Sequence, residues 1–461
     1  MDPAESREPR RFVVVGGGIG GQTLCETLRE RDPGVQITLI CGETHLPYDR
    51  VNLSELLAEE APDGPLGTLQ LRPEEWYTDN SIEVRLESWV ESVDTDARTV
   101  RLAGGDTIDY DGLALATGSN PLVPPIEGAE LAGVHTYRGP EDCEAIRTAA
   151  AGADRAAVIG GGLLGLEAAR GIQAQACPVT VVHLMDRLME RQLDDGSAEM
   201  LLPAMQELGM EVELERQTEA IVGNGRAAGL RFDGGDELAA DLVVISVGIT
   251  PEVSLADAAG IETARGIVVD DCMRTSASAV VALGECAEHE GVVYGLVAPI
   301  YEQARVAANT LLELEGPKYQ GSTPWAKLKV AEIDLVSIGE VNGDSGAASA
   351  DAVARHYRKL SLRDGKMAGA ILLGNTRGTE ALLEAVRSGE EVADPLGRLV
   401  EAADSGPEDM PDTAQVCDCN GVLPWRTGTS SSAHRRTCSK EPWPLTSWRP
   451  RAGPPSPARA G

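Results

Sequence analysis

A chain of 461 residues with 42% hydrophobic content has the length for about three domains and enough apolar side chains to give each a core. Its 40 Lys and Arg stand against 73 Asp and Glu, a net charge of −33, which argues against nucleic acid and anionic membranes as partners. No run is long and apolar enough to span a bilayer, the first eleven residues lack the apolar centre of a signal peptide, and the nine cysteines are too scattered for a disulfide framework, so a cytoplasmic protein is expected.

The first element is Phe-Val-Val-Val, residues 12–15, an apolar run of the kind that forms a buried parallel strand. Gly16, Gly18 and Gly21 follow in G-x-G-x-x-G spacing. The first glycine permits a tight turn, the second lets a pyrophosphate reach the backbone, and the third lets the next helix pack against the strand. That helix is expected to start near Gly20, with its unpaired N–H groups facing phosphate. A second strand, Gln36 to Cys41, is followed by Glu43, near the position where an acid takes a ribose hydroxyl, with Gly42 as the other candidate for that place. The loop from His45 to Ser54 offers Arg50 to a phosphate or to Asp49.

Three strand-like runs follow, Ile82–Leu86, Trp89–Asp94 and Thr99–Leu102, with a hairpin signal at Gly104-Gly105-Asp106. A short apolar strand then ends in Ala116-Thr117-Gly118, and Pro121, Pro124 and Pro125 mark a crossing between domains. Gly160, Gly162 and Gly165 repeat the glycine spacing 144 residues after the first copy, again between a strand and a helix. The strand Val179–His183 ends in His183, where an acid would mark NAD, and Arg187 lies four residues on. A lone His at a strand end is commonly structural, so the choice between NADH and NADPH stays open. Residues 279–286 read as a buried strand ending in Gly284-Glu285-Cys286, which brings the Glu285 carboxylate to the carboxyl edge of a sheet, where ligands bind. A helix is expected over Gly295–Ala308. From Trp325 to Gly389 the pattern changes to a compact α+β unit, with strands at 327–330, 334–338, 353–360 and 368–373 and a helix at 379–387.

The end of the chain reverses in character. Residues 1–421 carry 33 basic and 72 acidic side chains, and residues 422–461 carry seven and one, with three of the six tryptophans. This points to a disordered tail or to a reading-frame change in the gene, and the second is favoured.

Two dinucleotide fingerprints, with Ala-Thr-Gly between them and Gly-Glu after the second, resemble the two-dinucleotide-fold flavoproteins of the pyridine nucleotide–disulfide oxidoreductase superfamily. Within it the chain is similar to the N-terminal part of the assimilatory NAD(P)H-nitrite reductase large subunit and to nitrate-reductase electron-transfer subunits. The residues that carry this are Pro47-Tyr-Asp-Arg50 with Leu53-Ser54, Val182-His-Leu-Met185 with Met189-Glu-Arg-Gln-Leu193, Gly284-Glu-Cys286, and Tyr294-Gly-Leu-Val-Ala-Pro299 with Tyr301-Glu-Gln303. The resemblance implies an α/β protein with two Rossmann-like FAD/NAD(P)-binding domains, the second inserted in the first, plus a small α+β C-terminal domain. The boundaries are 11–128 and 250–320 for FAD, 129–249 for NAD(P), 321–405 for the C-terminal domain, and 406–461 for the remainder.

By the same resemblance Gly16, Gly18 and Gly21 cradle the FAD pyrophosphate with Arg50 close by. Thr117 and Gly118 pass the flavin, Glu285 with Gly284 meets the ribityl chain, and Gly160, Gly162 and Gly165 hold NADH or NADPH. The implied reaction carries electrons from NAD(P)H through flavin to a redox acceptor protein or to a sirohaem or molybdenum reductase subunit. A ferredoxin or rubredoxin reductase is the alternative, weakened by Glu55 where such reductases carry Lys, and a non-enzymatic NAD(H)-sensing flavoprotein is a third. Cys417 and Cys419 match the first pair of a [2Fe-2S] domain, but Cys438 stands alone where a second pair belongs. A cluster needs four thiolates, so little or no [2Fe-2S] is expected.

Overall fold

The computed structural model describes residues 9–58, 66, 69–330 and 333–404. Cys417, Cys419, Cys438 and the basic tail lie outside these residues.

The apolar runs form the middles of two parallel sheets. The first sheet is ordered 280–282, 112–115, 11–15, 36–40, 82–85, every neighbour parallel. The second is ordered 210–213, 179–182, 156–159, 242–245, 134–136, again all parallel. The strands Gly112–Leu115, Ala156–Ile159, Val179–Val182 and Leu242–Ile245 are buried along their whole length, as strands covered on both faces must be. The second sheet uses residues 134–245, whereas the first draws strands from both sides of that span, so one dinucleotide fold is inserted in the other. The chain leaves and returns through one antiparallel ribbon, Ser119–Pro121 against Ile249–Pro251. This is the crossing that the prolines marked.

Each fold carries a small antiparallel meander. Residues 90–94, 99–102 and 107–109 form the first; of the three runs read in this stretch, two belong to it, 82–85 joins the parallel sheet instead, and the strand 107–109 was not read. Residues 218–223, 227–232 and 237–239 form the second, which was not read. Two helix positions shift slightly. The first helix is Ile19–Arg31, and the later one is Val297–Leu312 rather than 295–308. Pro299 sits in the first turn of that later helix, where its missing N–H is not needed.

The C-terminal unit is an antiparallel sheet ordered 325–330, 333–339, 366–373, 356–363, 345–351, followed by the helices Thr379–Ser388 and Pro395–Asp404. One expectation is corrected here. The strand placed at 353–360 is His356–Arg363, and residues 352–355 belong to the turn before it. The edge strand Ser345–Asp351, Ser-Gly-Ala-Ala-Ser-Ala-Asp, was missed because it lacks apolar alternation, and it is almost wholly exposed. Among the described residues no helix is long and apolar enough to cross a membrane.

Candidate functional site

The first glycine turn has the form its spacing requires. Gly16 has φ +121°, and a Cβ there would lie 2.0 Å from the Ala116 carbonyl oxygen. A Cβ on Gly21 would lie 2.0 Å from the Gly16 oxygen, so this glycine lets helix and turn meet. Gly18 differs, because a Cβ there would meet nothing within 4 Å. It caps the thirteen-residue helix with no side-chain cap. Packing therefore does not demand Gly18. The open space in front of an uncapped helix start is what an anionic ligand fills.

Around this turn the structure brings together residues far apart in sequence. Glu43 accepts a hydrogen bond from the Tyr48 hydroxyl at 2.8 Å and pairs with Arg50 at 2.5 Å. Arg50 also donates to the Arg138 carbonyl at 2.7 Å and lies 4.8 Å over the Tyr48 ring. Of the two partners expected for Arg50, Asp49 is corrected by this geometry. Asp49 instead caps its own turn, accepting from the Val51 N–H at 3.0 Å. Gly42 leaves room for the Trp89 ring, 2.9 Å from where a Cβ would stand, so Glu43 is the acid beside this strand end.

Glu285 emerges past the strand Val280–Ala282, at the carboxyl edge as read. Its carboxylate accepts from Arg138 at 2.6 Å and Ser119 at 2.7 Å. Gly284 has φ +83°, and its N–H donates to Gln303 at 2.7 Å. The Thr117 hydroxyl donates to the Glu252 carbonyl at 2.8 Å and so ties the domain crossing together. Gly118 has φ +73° at the same crossing. Arg138 and Ser119 were missed by sequence reasoning. They are 147 and 166 positions from Glu285, and no local pattern links them to it.

The second turn repeats the first. Gly160 has φ +122° with Ser246 oxygen 2.1 Å from its would-be Cβ, Gly165 backs onto the Gly160 oxygen at 2.0 Å, and Gly162 opens on nothing within 4 Å. His183 is buried at the end of its strand. Its Nδ1 accepts from the Gly161 N–H at 3.0 Å, and its Nε2 faces Glu190 at 3.1 Å. With both ring nitrogens engaged, His183 braces the glycine turn from behind.

Glu167, one turn into the helix Leu163–Ala174, was also missed. It has no hydrogen-bond or ion-pair partner among the described residues, and burial pushes its pKa up to about 8. The hydroxyl of nearby Tyr137 is likewise buried without a partner there. The fold therefore keeps a proton on Glu167 that the unfolded chain releases, so stability falls as pH rises from 4.5 to about 8 and levels off beyond. Glu167→Gln is expected to remove about 3 kcal/mol of that decline. Urea unfolding at pH 5 and pH 8 measures it, and an unchanged pH slope in the variant would show that the carboxyl is not held neutral.

Two of the described cysteines that lie near the first glycine turn are poor nucleophiles. Cys286 is fully buried with its Sγ toward the Leu115 and Leu283 carbonyls, and burial raises its pKa. Cys41, packed against Gly17, is pushed up to about 12 by burial. Among the described residues no group of His, Cys, Asp or Glu is arranged to hold a metal.

Two nested parallel sheets, each ending in an open glycine cradle at a helix start, define an oxidoreductase-type fold with places for two dinucleotides. The chain belongs to the pyridine nucleotide-disulphide oxidoreductase family, whose profile matches residues 10–310, and by that membership is an FAD-dependent NAD(P)H oxidoreductase. The profile of the rubredoxin NAD+ reductase C-terminal domain matches residues 324–390. Among relatives, the chain is 38% identical to the assimilatory nitrate reductase electron transfer subunit of Bacillus subtilis, over 90% of this chain and 54% of that protein. It is also 38% identical to the nitrite reductase [NAD(P)H] of Bacillus subtilis, over 90% of this chain and 52% of that protein. The chain thus spans about half the length of these relatives. Its fold matches a ferredoxin reductase from Rhodopseudomonas palustris with TM-score 0.76 and 27% identity, covering 85% of this chain and all of that one.

Proposed function

We propose that this chain passes electrons from NAD(P)H through FAD to a redox partner in nitrite or nitrate assimilation. The similarity to the nitrate and nitrite reductase proteins across nine-tenths of the chain, C-terminal unit included, carries this reading. When bound, the two cofactors supply hydride transfer and release of electrons to an acceptor.

The chain's own residues bind, orient and exclude water. Gly16, Gly18 and Gly21 admit the FAD pyrophosphate to the backbone, with Glu43 and Arg50 locked together beside it. Glu285, fixed by Arg138 and Ser119, is only 17% exposed at its side chain and presents a carboxylate in fixed orientation to a hydroxyl-bearing chain. Gly284, Thr117 and Gly118 shape the wall near the domain crossing. Gly160, Gly162 and Gly165 receive the nicotinamide nucleotide. On this reading residues 11–128 and 250–320 hold FAD, 129–249 hold NAD(P)H, and 321–405 form the C-terminal domain.

A second reading, reductase for a separate ferredoxin or rubredoxin, draws support from the C-terminal match. Against it, the exposed Glu55 places negative charge where such reductases carry Lys. Stopped-flow mixing of the purified yellow protein with NADH and NADPH, followed by a screen of acceptors, tests the proposal. Fast bleaching of the flavin and reoxidation by ferricyanide and by a nitrite- or nitrate-reducing partner are expected. A colourless protein that refuses FAD would overturn it, and reoxidation by rubredoxin or ferredoxin alone would favour the second reading.

A further inference from the structure

One pocket lies past the carboxyl ends of the strands Val179–Val182 and Met210–Glu213, beside the second glycine cradle. It has a volume of about 530 Å³. Leu184 to Arg187 line one side, and Glu215 to Gln217 with Asp233 line the other. In a doubly wound sheet this is where the sugar next to the pyrophosphate comes to rest. An arginine free to reach this point accommodates a 2′-phosphate, and a carboxylate here suits a bare ribose diol.

The pocket holds two arginines, and both are already engaged. Arg187 lies 3.1 Å from Asp186 and 3.2 Å from Asp195. Its Nε donates to the Leu193 carbonyl at 3.4 Å. Arg216 lies 2.8 Å from Glu213 and 3.2 Å from Asp236. Its guanidinium is stacked 4.9 Å from the Phe232 ring centre. Each cation therefore faces two carboxylates, and Glu215 and Asp233 add further negative charge to the lining. Leu184 and Met185, 60% and 43% exposed, form an apolar lip of the kind a purine covers.

We propose that this pocket takes the adenosine end of the nicotinamide nucleotide and selects NADH over NADPH. The claim rests on the nucleotide-binding reading above and settles which nucleotide that site prefers. A phosphate carrying roughly two negative charges would have to enter an acidic pocket and break two ion pairs to gain an arginine. The ribose hydroxyls of NADH carry no charge and can donate hydrogen bonds to the same carboxylates.

Calorimetric titration of the FAD-loaded full chain with ADP-ribose and with 2′-phospho-ADP-ribose tests this without reference to turnover. ADP-ribose is expected to bind at least about tenfold more tightly, with the gap narrowing as salt is raised. The double variant Glu213→Gln/Asp236→Asn, which releases Arg216, is expected to close the gap by about tenfold. Should that variant fail to fold, Asp186→Asn/Asp195→Asn, which releases Arg187 from both its carboxylates, gives the same readout. Equal or tighter binding of the 2′-phosphorylated ligand by the unaltered protein overturns the selectivity. If neither ligand binds although flavin is present, the nucleotide-binding reading itself fails.

Discussion

Gly18→Ala is expected to fold and to lose its flavin, whereas Gly16→Ala is expected not to fold properly at all. The two glycines are two residues apart and differ in backbone conformation and in what stands before them. At Gly16 the backbone has φ +121°, and the added methyl would overlap the Ala116 oxygen at 2.0 Å. Strain and overlap together cost on the order of 4 kcal/mol or more. At Gly18 the backbone is extended, with φ −85° and ψ −174°, and the methyl would meet nothing within 4 Å. Without ligand, Gly18→Ala should change stability by less than about 1 kcal/mol. With ligand, the methyl occupies the space that FAD needs, and affinity should fall by roughly 10- to 100-fold, the equivalent of overpacking by one methyl.

The paired variant in the second cradle, Gly162→Ala, should keep its flavin and lose nicotinamide nucleotide affinity over the same range. Flavin content after gel filtration, thermal unfolding and titration with NAD+ separate the three proteins. Full flavin affinity in Gly18→Ala would show that the first cradle does not hold FAD.

Asp194→Ala is expected to lower stability by about 3–4 kcal/mol. Asp194 caps the helix Asp195–Glu207, accepting from the Ser197 N–H at 3.0 Å. It also accepts from the Tyr357 hydroxyl at 2.7 Å and the Lys359 ammonium at 2.8 Å, both on the C-terminal sheet. The carboxylate thus joins the inserted fold to the C-terminal unit, and its loss leaves Lys359, only 19% exposed at its side chain, without its partner.

Burial alone would raise the Asp194 pKa, but hydrogen bonds from Lys359, Ser197 and Tyr357 outweigh it and bring it down to about 2. The folded value lies below the unfolded one, so this stabilisation is present above pH 4 and is lost as pH falls towards 2. It amounts to about 2 kcal/mol. Asp194→Asn keeps the cap and should lose mainly this pH-dependent part. Urea titrations between pH 3 and pH 7, with Lys359→Met completing a double-mutant cycle, measure the coupling. A coupling energy near zero would mean that the Asp194–Lys359 pair does not hold the inserted fold to the C-terminal unit.

Most of the fold was legible because it rests on local rules. Val-Val-Val before Gly16 and Ala-Val-Ile before Gly160 are strands by apolar content, and the glycine spacing dictates the turns. The prolines at 121, 124 and 125 marked the place where the chain crosses between folds. The acidic cluster was legible only as separate residues. Glu43 and Glu285 were read for their positions after strands and Arg50 as a loop residue, but their partners Tyr48, Arg138 and Ser119 were not, since those pairings depend on how two sheets and a crossing ribbon converge. The strand Ser345–Asp351 escaped for another reason. An edge strand of small residues buries almost nothing, so no hydrophobic period records it.

By itself the sequence determined that two glycine turns stand on two parallel sheets, because the G-x-G-x-x-G spacing after an apolar run is written within six residues. Only the tertiary structure decided what each charged side chain faces. It turned His183 inward as a brace, tied Thr117 to the crossing, and matched Arg187 and Arg216 with carboxylates. Backbone turns follow from local sterics, whereas the partners of a charge come from chain segments that folding alone brings within hydrogen-bonding distance.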